Sequence, residues 1–306
     1  MAKHKMIQAL DILLKDLTGK RNLFGGKVIV FGGDFRQTLP VVRNGKREDF
    51  VSESLLYSDI WNQLEKLYLS ENMRAKEDPT FCEYLMRIGN GQEITNSNNK
   101  IEIPRNFIIP YTIEIESLNQ LFRATYPNIS TFFSDLSSIT SRVILTTKND
   151  FVNEINDMLI QQLSNDAKIY TAIDETLEAA DQCQFEDFLH TLNPVNLPPY
   201  KLTLKKNCPV ILLRNLNPSE GLCNGTRLIC HNFNKHIISA TIANGDFKNT
   251  HVFIPRIPLL ASADEKLPIA FKRTQFPIRL SFAMTINKAQ GQTLDFVGIY
   301  LREPVF

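Results

Sequence analysis

Apolar and polar residues alternate along this chain in blocks that predict a mixture of helices and strands. A helical spacing of apolar residues near the N-terminus predicts an amphipathic helix that ends at Gly19. The apolar face of this helix comprises Met6, Leu10, Leu13, Leu14 and Leu17. After it, the run Val28-Ile29-Val30-Phe31 is short, apolar and mostly β-branched, which is typical of a strand buried on both faces.

The next hundred residues alternate helical and extended patterns. Residues 55–66 have a helical pattern, and Leu67-Tyr68-Leu69 is typical of a strand. Asp78 and Pro79 form an N-cap and first-turn pair, and Gly89 is expected to close the helix that they begin. Residues 90–139 are weakly patterned and contain several prolines, so we predict a connecting region.

From residue 142 the pattern predicts a strand, a polar turn and a helix, followed by short strands. Residues 142–146 form the strand, and the helix has apolar positions at Val152, Ile155, Leu159 and Ile160. Farther on, Asn-Gly pairs at 224–225 and 244–245 predict tight turns between strands near 210–213, 238–242 and 252–254. Short strands joined by tight turns indicate a small barrel. A further apolar strand ends at Thr285, and Gly291 interrupts the polar helix or turn that follows it.

Two polar clusters follow predicted strands directly, where open α/β sheets bind their ligands. The first is Gly32-Gly33-Asp34-Phe35-Arg36-Gln37, in which the glycine pair permits a sharp turn and a close approach of the backbone. The second is Thr285-Ile286-Asn287-Lys288-Ala289-Gln290-Gly291. Each is also compatible with an ordinary strand-to-helix turn. A third stretch, residues 169–175, imitates a Walker B strand, but no phosphate-binding loop precedes it, so we reject that interpretation.

These clusters resemble motifs of the petite integration frequency (PIF) family of DNA helicases, in the RecD-like branch of superfamily one. Copies carried by Helitron transposons are the most similar in form, with Asn287 and Ala289 where many relatives have His and Ser. The resemblance implies an α/β fold of P-loop NTPase (RecA-like) type. Residues 1–75 would form the end of a first RecA-like domain and 76–139 a connection. Residues 140–306 would form the second domain, with an SH3-like insertion at about 227–272.

The resemblance also implies roles for individual residues. Gln37 would sense the γ-phosphate of ATP, and Arg74, which alone would be interpreted as a solvated charge, would be an arginine finger. Asp34, Gln290 and Gly291 would lie near the nucleotide, with ATP and Mg²⁺ as the cofactors. Single-stranded DNA would contact Thr146, Asn149, Thr285, Asn287 and Lys288. For Thr146 and Asn149, helix capping is an equally good interpretation.

The composition of the chain excludes some classes of protein but does not by itself indicate a function. The 306 residues carry 34 basic and 33 acidic side chains, a net charge of +1, so no global basic field indicates nucleic acid. Five cysteines without a Cys-x-x-Cys pair indicate reduced thiols rather than disulfides or zinc, and no metal site is expected. No apolar run approaches the roughly 20 residues of a membrane span. We expect a monomer, and the family resemblance implies the nucleus or the mitochondrion.

The chain lacks a phosphate-binding loop, which would read Gly-x-x-x-x-Gly-Lys-Ser/Thr. Gly26-Lys27 does not qualify, because Arg21 stands at the first glycine position and Val28 follows the lysine. The family's Mg²⁺-binding acidic pair is expected before residue 1 and its final arginine motif after residue 306. We therefore expect a catalytically inactive part of an ATP-dependent 5′–3′ DNA helicase. The alternative is a non-catalytic module that binds single-stranded DNA.

Overall fold

A computed structural model gives the fold of the chain as two compact units, residues 1–108 and 109–305. It describes residues 2–37, 39–40, 42, 45–69, 78–127, 129, 139–178, 182–194, 197–261, 267 and 269–303. The boundary after residue 108 lies between the domain boundaries predicted at 75 and 139. Those predicted boundaries follow the family resemblance and stay predictions.

The first unit consists of short helices and turns around a small apolar core. Its helices are α1 (His4–Thr18), α2 (Arg47–Ser52) and α3 (Pro79–Gly89). Single 3₁₀ turns lie at Leu23–Gly26, Leu55–Tyr57, Trp61–Gln63 and Arg105–Phe107. The buried side chains of the core are Ile7, Phe24, Leu55 and Ile60.

Helix α1 has the predicted bounds, but its predicted apolar face is not the buried one. The helix ends at Gly19 in the left-handed conformation, as expected. Its buried residues are Ile7 and Asp11. Of the predicted face, Leu14 packs partly buried against the core, whereas Met6, Leu10, Leu13 and Leu17 are exposed. Asp11 determines this orientation, because its Oδ1 accepts a hydrogen bond from the backbone N of Phe24 at 2.6 Å and its Oδ2 one from Lys15 Nζ at 2.6 Å.

Two predicted strands of this unit are not formed. Residues 28–31 and 67–69 form no strand, and Val28 and Val30 are 92% and 89% exposed. A strand exists only where a neighbour accepts and donates its backbone hydrogen bonds. No neighbouring strand lies among the described residues of this unit. The expected close approach at Gly32 and Gly33 is likewise not found, because a Cβ at either would meet nothing within 4 Å.

Helical predictions in this unit were right where a local cap determines the helix. The carboxylate of Asp78 accepts a hydrogen bond from Phe81 N at 2.9 Å and starts α3, which includes Gly89. Residues 55–66, predicted as one helix, instead form two separate 3₁₀ turns. The break lies at Ser58, whose side chain accepts a hydrogen bond from Ile60 N at 3.3 Å and so competes with helix continuation.

The second unit combines a parallel sheet with antiparallel sheets. Its helices are α4 (Glu114–Thr125), α5 (Asn149–Gln162), α6 (Gln182–Thr191) and α7 (Ile286–Ala289), with a 3₁₀ turn at Pro218–Glu220. Its strands are β1 (Arg142–Thr146), β2 (Ala167–Thr171), β3 (Ile173–Thr176), β4 (Lys201–Lys205), β5 (Pro209–Leu212), β6 (Arg227–Phe233), β7 (Ile237–Ile242), β8 (His251–Pro255), β9 (Ile257–Leu260), β10 (Phe271–Gln275), β11 (Ile278–Leu280), β12 (Ala283–Thr285) and β13 (Phe296–Tyr300).

The parallel sheet has the order β12-β1-β13, and helices pack against it. Helix α4 lies within the region predicted as a connection, yet Leu118 and Phe122 of this helix are buried in the main core. It packs close to β13 at Gly298, where a Cβ would stand 2.5 Å from Thr125 Oγ1. The α4 segment was missed because its apolar residues form a narrow stripe among polar ones.

The antiparallel strands form a five-stranded sheet, β11-β5-β6-β7-β8, a three-stranded sheet, β3-β10-β9, and the pair β2-β4. The predicted strands near 210–213, 238–242 and 252–254 correspond to β5, β7 and β8. Both Asn-Gly turns are formed, with Gly225 and Gly245 at φ of 92° and 79°. Among the described residues, the three strands of the predicted barrel therefore lie in one five-stranded antiparallel sheet. The bounds of an SH3-like insertion stay a prediction.

The Walker B look-alike is a structural ion pair. Both side chains of the pair formed by Asp174 and Arg273 are fully buried, with Nε–Oδ1 and Nη2–Oδ2 distances of 2.8 and 2.7 Å. Arg273 also donates to the backbone carbonyls of Leu189, Leu192 and Pro198. Because this pair occupies both carboxylate oxygens of Asp174, that residue is not available to hold a metal ion.

Candidate nucleic-acid interface

The Gly-Gly-Asp-Phe-Arg-Gln cluster forms a closed turn in the first unit. Oδ1 of Asp34 accepts hydrogen bonds from the backbone N of Arg36 at 3.0 Å and from its Nε at 2.9 Å. The Arg36 guanidinium, together with the side chain of Gln37, holds the pKa of Asp34 below its usual value although burial acts in the opposite direction. Arg36 Nη1 also contacts the sulfur of Met86 on α3 at 3.1 Å. The turn is therefore anchored to α3.

Within each unit taken by itself, the residues expected at the nucleotide do not form a phosphate cradle. The carboxylate of Asp34 is already paired, and Gln290 and Gly291 line a different cavity in the second unit. Arg74 lies outside the described residues. No group of three or more metal-ligating side chains occurs in the described part of the chain. Asp34 in the first unit and Gln290 and Gly291 in the second therefore do not form a site for ATP and Mg²⁺ within either unit taken alone.

The residues expected at DNA come together in the second unit. Strands β1 and β12 are parallel neighbours, and Thr146 and Thr285 stand opposite one another at their carboxyl ends. The polar segments that follow both strands therefore begin at the same edge of the sheet. One segment leads into α5, which begins at Asn149, and the other forms α7, which carries Asn287 and Lys288. The sequence predicted this convergence only through the family resemblance.

The five residues expected to contact DNA differ in how far solvent reaches their side chains. Thr146 is 0% exposed and its hydroxyl has no partner among the described residues, so this structure does not present it to a ligand, and its contact with DNA stays a prediction. It is buried because β1 is the central strand of its sheet. Asn287 is exposed, and Asn149, Thr285 and Lys288 are half-buried. The capping alternative does not hold for Asn149, because the N-cap position of α5 is Lys148.

Two lysines provide positive charge at this edge. Lys148 is exposed and forms an ion pair with Glu303. Burial, together with the charge of Arg279, holds the pKa of Lys288 below its usual value. No carboxylate pairs with Lys288 in the part of the chain that the structure describes. A bound phosphate would supply the counter-charge that Lys288 lacks.

Three buried side chains that sequence reasoning did not single out hold the strand that carries this segment. Asn156 of α5 donates to the carbonyl of Ala283 and accepts from its N–H, at 3.3 and 2.9 Å. Tyr126 donates to the carbonyl of Phe282 at 2.6 Å, and Arg227 donates to the carbonyl of Ser281 at 3.1 Å. Burial raises the pKa of Tyr126, so the tyrosine stays a neutral donor.

A cavity of about 530 Å³ adjoins this segment in the second unit. One wall is formed by Lys288, Gln290, Gly291 and Gln292, and the others by the two Asn-Gly turns and their neighbours. Gln292 joins these walls, because its Nε2 donates to Gly225 O at 3.2 Å and its Oε1 accepts from Asn244 Nδ2 at 3.4 Å. The volume lies in the range of small-molecule sites.

Comparison with known proteins supports the resemblance. The family model described as PIF1-like helicase matches residues 1–100, and the model of the 2B domain of DNA helicase Pif1 matches residues 187–233. ATP-dependent DNA helicase PIF1 of Xenopus laevis is 25% identical over 98% of this chain, and that of Homo sapiens 24%. The chain spans 41% of the length of each of these relatives.

Solved structures show the same fold. A Pif1 helicase from Bacteroides in complex with ADP-AlF3 and ssDNA aligns with 99% of this chain and 63% of its own chain, at a TM-score of 0.64 and 18% identity. The Pif1 helicase from Candida albicans aligns with 98% of this chain and 64% of its own, at a TM-score of 0.61 and 19% identity. The fold is therefore that of a RecA-like P-loop helicase core. The family models and the alignments over 98% of this chain show that it is similar to PIF1-like helicases. No described helix is long and apolar enough to cross a membrane.

Proposed function

We propose that this chain is the part of a PIF1-like ATP-dependent 5′–3′ DNA helicase that holds single-stranded DNA in its second RecA-like domain. The proposal includes ATP and Mg²⁺ as family cofactors, Gln37 and Arg74 as the γ-phosphate contacts, and Asp34, Gln290 and Gly291 at the nucleotide. It also includes a Helitron-type origin and a monomer in the nucleus or mitochondrion. The related Bacteroides Pif1 was solved with bound ssDNA.

The observation that supports DNA binding is the register of two parallel strands. Thr146 and Thr285 are paired at the carboxyl ends of β1 and β12, so two separated motifs begin at one sheet edge. Amide and hydroxyl groups there contact sugar and phosphate oxygens, and an ammonium neutralises a phosphate. We assign Asn149, Thr285 and Asn287 to hydrogen bonding and Lys288 to charge neutralisation. Such contacts position a strand without reading its sequence.

The test measures binding of the purified 306-residue chain to fluorescently labelled oligo(dT) by anisotropy between about 50 and 200 mM salt. We expect affinity to fall with salt, and Lys288→Gln to lower the slope of log K against log salt by about 0.7, the value for one phosphate contact on a single strand. The matched control is Lys235→Gln, which removes the same charge at the exposed β6–β7 turn. Equal slopes for both variants, or no binding by the wild-type chain, would contradict the proposal.

The alternative function, a module that binds single-stranded DNA without a motor, differs in its response to nucleotide. The 306 residues contain no Gly-x-x-x-x-Gly-Lys-Ser/Thr, so we expect this chain alone to show no DNA-stimulated ATP hydrolysis. Reconstitution with a segment that supplies the phosphate-binding loop separates the two functions. DNA-dependent hydrolysis that Gln37→Ala abolishes would support the helicase, and unchanged DNA binding without hydrolysis would support the module.

A further inference from the structure

We propose that the cavity beside Lys288 is a binding pocket for one nucleobase of the DNA strand, with Phe247 as its stacking surface. This inference rests on the proposed function, because the base would belong to the strand that Lys288 holds. It assigns a ligand to a site in the antiparallel part of the fold, away from the sheet edge itself.

The walls of the cavity are fixed before any ligand binds. Hydrogen bonds within the 244–250 turn, from Lys248 N to Gly245 O and from Thr250 N to Phe247 O, both 3.1 Å, hold the loop that carries Phe247. Thr226 Oγ1 donates to Gly221 O at 2.8 Å in the opposite loop. The amide of Gln292 joins the two turns to the DNA segment. A preformed pocket avoids the entropic cost of ordering a loop on binding.

Phe247 is placed with one side supported and the other available. Its ring packs against Gly221, where a Cβ would stand 2.6 Å from Phe247 Cδ2, so only glycine admits the ring at this position. The side chain nevertheless remains 40% exposed and lines the cavity. The accessible part of an aromatic ring that lines a cavity can stack on a planar base.

The charge of the cavity favours a base rather than a phosphate inside it. Lys288 and Asp246 are the single cation and the single carboxylate among the described lining residues, so the lining as a whole carries no net charge, although the two side chains form no ion pair. The remaining polar side chains are amides, including Asn224, Asn244 and Gln290. Amides and a carboxylate match the donors and acceptors on a base edge. Lys288, where the cavity meets α7, is placed for the adjoining phosphate.

The experiment compares Phe247→Leu with Phe253→Leu on oligo(dT) and on an abasic oligonucleotide of equal length. Phe253, on β8, is 68% exposed but does not line this cavity, so it is the matched control. We expect Phe247→Leu to weaken oligo(dT) binding about fivefold or more, the lower end for losing one stacked base, with an unchanged salt slope. Phe253→Leu should bind like the wild type. On the abasic strand, Phe247→Leu and the wild type should bind equally.

The aromatic variant Phe247→Trp distinguishes stacking from a folding defect, because it keeps a planar ring and should bind oligo(dT) at least as tightly as the wild type. An equal loss for Phe247→Leu on both strands, or no loss on oligo(dT), would overturn the pocket while leaving the proposed function intact. A wild-type chain that binds no single-stranded DNA would overturn both.

Discussion

The buried ion pair between Asp174 and Arg273 offers a sharp test of what stabilises the second unit. Glu175, the acidic residue next to Asp174 in the sequence, provides the matched control. Asp174→Asn leaves a fully buried guanidinium without a counter-charge. Breaking such a pair by removing one partner costs about 3–5 kcal/mol. For a unit of this size we take a urea dependence of about 3 kcal/mol per molar, so the unfolding midpoint should fall by roughly 1–2 M.

The assay is urea unfolding followed by far-ultraviolet circular dichroism. Glu175→Gln is the control, because Glu175 pairs with Lys272 at 2.7 Å on the surface, where exposed pairs contribute about 0–1 kcal/mol. The double variant Asp174→Leu with Arg273→Met should recover only part of the loss, since backbone carbonyls that Arg273 serves lose their donor. An unchanged midpoint for Asp174→Asn, or an equal shift for Glu175→Gln, would refute the structural interpretation of the acidic pair.

Two further predictions concern the first unit, in which Trp61, the single tryptophan, reports unfolding by fluorescence. Gly25→Ala should lower the melting temperature markedly, because its Cβ would stand 2.3 Å from Thr18 Oγ1. Gly26→Ala, with similar φ and only an ordinary contact at 3.6 Å with Lys20 Cδ, should lower it less. Hydrogen bonds outweigh burial and hold the pKa of Asp11 below its usual value. The ionised Asp11 carboxylate therefore contributes to the free energy of unfolding above the usual carboxyl pKa, and this contribution is lost as the pH falls through the lowered pKa. Asp11→Asn should remove that acid-dependent loss, and an unchanged pH profile would contradict this.

The sequence predicted those elements whose signals are local. The side chain of Asp78 caps its own helix, and each Asn-Gly turn needs only its own glycine in the left-handed conformation. The strand at 142–146 was predicted from its apolar central residues, Val143, Ile144 and Leu145. In the structure Val143 and Ile144 are buried, as that pattern requires. These features depend on a few neighbouring residues, so the pattern of the chain contains them.

The features that the sequence did not predict correctly share a different cause, since they depend on contacts between residues that are distant in the chain. Residues 28–31 have the composition of a strand, but pairing requires a partner that composition does not specify. The burial of Thr146 follows from its position in the central strand, which the order β12-β1-β13 determines. The cavity beside Lys288 is formed by loops more than forty residues away in the chain, as the bond between Asn244 and Gln292 illustrates.

The candidate site consequently contains two kinds of residue that fail differently when changed. Lys288 and Asn287 are placed to contact a ligand, and their loss should change binding while the fold remains. Asn156, Tyr126 and Arg227 bind the backbone around β12 from other elements, so their loss should weaken the fold and displace the contact residues together. Among the described residues β12 pairs with β1 alone, and Asn156 binds both the N–H and the carbonyl of Ala283 in that strand. The geometry of the proposed interface therefore depends on buried residues as well as on the residues assigned to contact DNA.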